Sequence, residues 1–515
     1  MSGRYFLGKA SRFRFFLVVG AFLLLSGSTI AAEYRFDDLC RAAYREVLCL
    51  RFTEAQRLIT EEKRKDPGNP VPAYLENYID FLTLVIGEEP GKYQELKENR
   101  TARIRILEAG PGNSPYHDFL LGEVYLQWAI ARLKFRDYTT AAWEIRKAYS
   151  LFTGNATRFP SFRANKVGLG VVRVVIGLVP AEYRWIVSLS GMEGSLRQGI
   201  SDIRDVAAYS GSDPLTRMYR PQALFYLAFL TVNFEKDKQE ALNIPLLGVG
   251  SETGEQPFES PLLIYARAVV LMRNGLNDKA LEVLEQRKSL PVSFPFCYLD
   301  YLEGTARINR LDPGASLCFE KYVSKFRGIT YIRSAYHKMA WAALLRGDSA
   351  GYTRIMKKVS VMGTAMVDED RQAGAEAAAG HFPNLFLLRS RLLFDGGYYS
   401  KALAELLDRP LKEFLHSKRD RLEYTYRLGR IYHETGNMVR AVACYRQTLA
   451  AGADEPAYFA AASAYQLGLL FENSGNASGA DSAYRACLAL KPSEYRTSLH
   501  QKARTALKRL EKNED

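Results

Sequence analysis

The stretch Tyr465–Pro492, YQLGLLFENSGNASGADSAYRACLALKP, decides the fold. It opens with a small residue, Gly468, followed by a large one, Phe471, three positions later. A glycine (Gly475), an alanine (Ala480) and another large residue (Tyr484) follow. The same order recurs upstream. Ala402, Ala441 and Ala480 are spaced by 39, as are Ser390, Gly429 and Gly468, and Gly397, Gly436 and Gly475. Leu393, Tyr432 and Phe471, with Leu406, Tyr445 and Tyr484, complete five rows in one register. Small residues on two antiparallel helices let the backbones approach, and large residues fill the space beside them. A glycine at the corner supplies the left-handed turn that ends the first helix. One such pair cannot bury its apolar face alone, so it stacks on its neighbours.

In this order and spacing the segment resembles the tetratricopeptide repeat, carried by Leu467, Gly468, Phe471, Ala480, Tyr484 and Pro492. The preceding unit matches through Leu428, Gly429, Tyr432, Ala441 and Tyr445, with Ala453 where the closing proline would stand. A period of 39, against about 34 in the family, fits a first helix lengthened by over one turn, as in 456–471. Longer HEAT-type repeats share the period but lack this order. Divergent units are read at 36–69 (Ala43, Ala55, Pro67), 261–294 (Ala268, Leu271, Gly275, Ala280, Leu284), 298–325 (Gly304, Ala315, Phe319) and 335–360 (Ala340, Gly347). In 115–150, Gly122 and Tyr125 are followed by Ala141 seven residues late. The fold class expected is all-α, an α-solenoid of antiparallel helix pairs with an irregular helical N-terminal half. Val171–Ile176 is the one strand-like run, and it sits inside a longer apolar segment.

The start of the chain reads as an export signal. Arg4, Lys9, Arg12 and Arg14 precede the apolar run Phe15–Leu25, and the small-residue end Ser26–Ala32 suits cleavage after Ala31 or Ala32. Eleven apolar residues are short for a permanent anchor, and no cysteine follows the run closely enough for a lipoprotein signal. Removing 1–32 takes four bases and no acid, leaving 66 Lys and Arg against 57 Asp and Glu, a net of +9 in place of +13. That is a mildly basic surface, without the concentrated stripe a nucleic-acid binder needs. The six cysteines are too dilute for a disulfide scaffold and read as buried small residues.

The organisation expected is a signal peptide at 1–32, an N-terminal helical domain at 33–245 and a linker at 246–260. Degenerate repeats follow at 261–380, then the C-terminal array at 381–515, with 361–382 a loop or a weak helix opening it. Residues 160–210 do not repeat. An apolar segment at 167–179 meets Pro180, restarts at Tyr183–Leu189, and is followed by Gly191, Gly194 and Gly199. Roughly over 115–205 this region is similar to the eukaryotic inclusion-body-clearance (Iml-type) family of tetratricopeptide proteins. That resemblance implies a helical scaffold often associated with membranes or lipid droplets, and no chemistry. The plain reading of 167–189 is two short buried helices; a membrane-touching hairpin or a partner-docking patch are its alternatives.

No phosphate-cradling, zinc-protease or nucleophile-elbow motif occurs, and the six histidines are scattered. No catalytic, cofactor or metal residues are therefore assigned. The repeat frame instead turns Arg391, Glu423, Tyr426, Arg430, His433, Tyr465 and Glu472 toward the concave face. Tyr and Arg with mixed charge suit an extended peptide or helix, whereas the residue set of a chaperone carboxylate clamp is absent. The expectation is a non-enzymatic protein- or peptide-binding scaffold of the cell envelope, periplasmic or outer-membrane associated, without cofactor or nucleic acid. The alternative is a peripheral membrane- or lipid-associated protein acting through 167–189, and the third reading is an enzyme with a site between the halves.

Overall fold

The computed structural model describes residues 33–178, 191–234, 238–246, 260–291, 294–380, 382–414 and 416–514. The expected signal peptide, the restart at 183–189, most of the linker and His381 lie outside the described residues.

Every regular element among the described residues is helical, and the chain is an α-solenoid. The helices run α1 Asp38–Leu48, α2 Phe52–Lys65, α3 Val71–Gly87, α4 Pro90–Leu96, α5 Asn99–Glu108, α6 Pro115–Lys134, α7 Tyr138–Arg158 and α8 Asn165–Gly177. They continue as α9 Leu196–Ala207, α10 Pro214–Phe234, α11 Pro261–Arg273, α12 Asn277–Gln286, α13 Tyr298–Asn309, α14 Ala315–Lys325, α15 Ile332–Leu345 and α16 Ser349–Val361. The last are α17 Asp368–Ala379, α18 Leu385–Asp395, α19 Tyr399–Leu407, α20 Lys418–Glu434, α21 Met438–Gly452, α22 Phe459–Asn473, α23 Ala477–Ala489 and α24 Arg496–Glu514.

The periodic residues do the packing their sizes suggest. Ala402, Ala441 and Ala480 are fully buried, and so are Leu406, Tyr445 and Tyr484. The Tyr445 ring lies against Gly429, where a Cβ would stand 2.8 Å from it, and Tyr484 lies closer still to Gly468. The corners are built alike in the last two pairs. Gly436 and Gly475 adopt φ of +80° and +77°, so a side chain there would be strained. The asparagine after each caps the second helix, Asn437 accepting from the Arg440 amide and Asn476 from the Gly479 amide.

Hydrophobic clusters follow one another along the chain, spanning 34–270, 264–302, 297–392 and 387–510, each beginning before the last ends. That is how a stack buries its faces without one central core. Val171–Ile176 is helical, and its helix α8 is buried at Val167, Leu169, Val172, Val174 and Ile176. Helix α9 crosses it at Gly170 and Gly199, each backbone carbonyl so near the other glycine that neither position has room for a Cβ. Gly199 thus serves a close helix crossing. Of 361–382, the part Asp368–Ala379 is a helix. All six cysteines are free thiols, four buried and two half-buried. No helix among the described residues is long and apolar enough to cross a membrane.

Candidate peptide-binding groove

First helices of successive pairs, α15, α18, α20 and α22, with the extra helix α17, surround one cleft, whose lining includes Trp341, Gln372, Glu376, Arg391, Arg419, Asp420, Glu423, Tyr458 and Phe459. Its polar walls are held in place from behind. Glu376 accepts from Trp341 Nε1 at 3.1 Å and lies 2.9 Å from His337 Nε2. Burial disfavours the charged imidazole, and the neighbouring carboxylate works against that. Despite its own burial, Glu376 is held down to about 2 by His337, Arg391 and Trp341, and stays ionised. Arg427, only 4% exposed, pairs with Glu423 at 2.9 Å, and Arg419 with Glu494 at 2.9 Å.

Two cations are treated differently. The Arg391 guanidinium stands 4.9 Å from the centre of the Trp341 ring, a cation–π contact. Lys338 donates to Tyr301 Oη at 2.9 Å and to Ser334 Oγ at 2.8 Å. Neither has a carboxylate within ion-pair distance among the described residues. Burial pulls the Lys338 ammonium down to about 8. Rings in tilted and edge-on contact flank the pair on both sides. Upstream, Tyr298 sits 5.9 Å from Tyr265 and 4.8 Å from Tyr331. Downstream, Tyr458 contacts Phe459 at 4.4 Å, Tyr495 at 5.0 Å and Tyr426 at 5.8 Å, between centroids.

The seven residues expected to face inward do not form one constellation. Arg391 and Glu423 line the cleft together. Tyr426 is 4% exposed and packs into the wall. Arg430 covers Phe394 at 4.7 Å and donates to Tyr426 Oη at 3.3 Å. His433 and Tyr465 turn toward the second helices, His433 within 3.4 Å of Tyr445 Oη and the Tyr465 ring 5.8 Å from Tyr484. Glu472 is gripped by Arg509 of α24, through Nε and Nη2 at 2.6 Å each, and by Tyr484 Oη at 2.7 Å.

Lys338, Trp341, Glu376, Arg427, Tyr458 and Tyr495 escaped the sequence reading. Lys338 and Trp341 fall in a unit marked only by Ala340 and Gly347, while Tyr458 and Tyr495 stand outside helices at unit boundaries, where the period says nothing. Arg427 had a visible signal, four residues after Glu423, the spacing of a helical ion pair. No cluster of metal-ligating side chains lies in this cleft among the described residues.

Stacked helix pairs with a recessed, aromatic and cationic inner face define a repeat scaffold. Residues 425–457 and 461–494 each match the tetratricopeptide repeat family, so the chain carries tetratricopeptide repeats in its C-terminal array. No curated protein sequence matches it. Among solved structures it is similar to the human IFIT1 dimer with PPP-AAAA, at 16% identity over 83% of this chain and 97% of that one, TM-score 0.32. It is also similar to the APC/C hetero-tetramer Cut9–Hcn1, at 13% identity over 96% and 98%, TM-score 0.22. A third is Naa15/Naa10 bound to HypK, at 11% identity over 92% and 78%, TM-score 0.20.

Proposed function

We propose that this chain is a non-enzymatic interaction scaffold that holds an extended segment of a protein partner against the inner faces of α15, α18, α20 and α22, in the cell envelope. The observation that carries the reading is the pair Lys338 and Arg391: two recessed cations with no carboxylate within ion-pair distance among the described residues, between rows of contacting aromatic rings. Aromatic and arginine side chains give large contact area at small entropic cost, and recessed cations await acceptors from a ligand. An enzyme between the halves is less well supported, because the one strongly shifted carboxylate in the cleft, Glu376, is occupied by Trp341 and His337. The basic and apolar start of the chain motivates the envelope setting. The described part of the membrane-touching alternative, α8, spends its apolar residues on the core.

The test is site-specific photocrosslinking in the native envelope, with the probe at position 338 in the groove or at Val439, which is 83% exposed on a second helix. A partner captured from 338 and not from 439 supports the reading. Equal capture from both sites, or capture only from 439, sinks it. Sequencing the N-terminus of the mature chain tests export, with Ala32 or Glu33 expected first.

A further inference from the structure

Far from the groove, the first helix pair encloses a cluster that the repeat packing does not require. Asp37 precedes α1, Cys40 lies in its first turn, and Glu62 sits near the end of α2. Cys40 and Glu62 are each 1% exposed, and the thiol and the two carboxylates present ligand atoms all within 4.8 Å of one another. Asp37 Oδ1 accepts the Cys40 amide at 2.9 Å, and its Oδ2 takes Lys65 Nζ at 2.6 Å. Glu62 Oε1 accepts from Asn69 Nδ2 at 2.8 Å. Glu62 Oε2 is buried without a hydrogen-bond donor, the Lys65 ammonium standing 3.9 Å away.

A buried carboxylate oxygen without a donor is costly, since desolvation is not compensated. Two carboxyl groups and a thiol thus face a single cation, the mostly exposed Lys65. Asn69 behaves as an outer partner that orients ligands. The Nδ2 that holds Glu62 also lies 3.7 Å from Cys40 Sγ, while its Oδ1 is fixed by the amides of Arg35 and Val71 at 3.1 Å each.

We propose that Asp37, Cys40 and Glu62 form a binding site for a borderline divalent metal ion of the zinc class, which staples α1 to α2. One thiolate and two carboxylate oxygens select such an ion over Ca²⁺ or Mg²⁺, which take oxygen ligands. Bonds of about 2.0–2.3 Å at tetrahedral angles place donors on one ion about 3.3–3.6 Å apart, so side-chain rotation must draw the cluster in by about 1 Å. On binding, Cys40 releases its thiol proton to water and gains a sulfur–metal bond, Glu62 is held ionised, and Lys65 swings out to solvent. Water completes the fourth position. The site is independent of the groove and of what binds there.

The test titrates the full, metal-stripped, reduced chain with Co²⁺, whose bond to a thiolate gives a near-ultraviolet charge-transfer band, and then with competing Zn²⁺. One equivalent of Co²⁺ is expected to develop the band and Zn²⁺ to abolish it. The band is expected to be lost in Cys40→Ser and kept in Cys487→Ser. Asn69→Ala is expected to weaken binding by about 10- to 100-fold, as outer partners of metal ligands do. Lys65→Met leaves every ligand in place and removes the competing cation, so it is expected to tighten binding. Zn²⁺ is expected to raise the melting temperature of the wild type and of Lys65→Met in a concentration-dependent way. Absence of the band in both the wild type and Lys65→Met, or a band of equal strength in Cys40→Ser, overturns the assignment.

Discussion

The Tyr484 ring rests on the bare Cα of Gly468, sixteen residues earlier, so that a Cβ added to the glycine would occupy ring atoms. The same contact joins Gly429 to Tyr445 one repeat upstream. It converts a periodic small–large pairing into the distance between two helices.

Gly468→Ala is accordingly expected to destabilise the C-terminal array, although alanine has the better helix propensity. Overpacking of a tight core costs about 1–3 kcal/mol, against about 1 kcal/mol gained in propensity. Denaturant titration followed by circular dichroism measures the balance, and an unchanged or higher midpoint would contradict the packing described.

The grip of Arg509 on Glu472 makes α24 the cap of the stack. Glu472 is nearly buried at its carboxylate, whereas Arg509 is about a third exposed. Arg509→Ala is expected to lower stability by about 1–2 kcal/mol, the loss of charge-assisted hydrogen bonds moderated by solvent. Removing 496–515 is expected to do more, because it uncovers Ala503, Ala506, Leu507 and Leu510. A truncated chain that melts with the intact one would show that α24 caps nothing.

Glu123 is buried within reach of Tyr44, Tyr74, Tyr219 and Tyr226, and burial raises its carboxyl from 4.5 to about 7. A carboxyl with a raised native pKa favours folding in its protonated form. Its contribution is complete below about 4.5 and is lost as pH rises through about 7. Glu123→Gln is expected to flatten the fall in stability across that window. Melting temperatures from pH 4.5 to 7.5 measure it, and parallel curves for variant and wild type would refute the assignment.

Within the proposed groove, Arg391→Ala and Lys338→Ala are expected to reduce partner crosslinking by about tenfold or more, measured at temperatures where the variants remain folded. Both side chains are half-buried and neither is in an ion pair with a carboxylate among the described residues. Quantitative mass spectrometry of crosslinked material at matched expression reads the effect, and undiminished capture would exclude these cations from the contact.

The fold was legible where the repeat is regular. Ala402, Ala441 and Ala480 announce buried helix contacts, and Gly436 and Gly475 announce corners, because each depends on residues within one helix pair. The candidate groove was legible only in part. Tyr426 and Glu472 take inward positions by the repeat frame, yet the next helix claims both, through Phe459 and Arg509. A period assigns a direction to a side chain and says nothing of the neighbour that meets it.

The sequence by itself therefore determined the class of architecture, since small and large residues in register specify how two adjacent helices nest. Only the tertiary structure decided which cations stay without carboxylate partners. Lys338 and Arg391 are brought together with Tyr301 and Trp341 from separate helix pairs. The same holds for Asp37, Cys40 and Glu62, which meet only because α1 folds back on α2. Electrostatic partnership depends on distances of a few ångströms between elements, and those are set by the stacking angles of the coil, which no local spacing encodes.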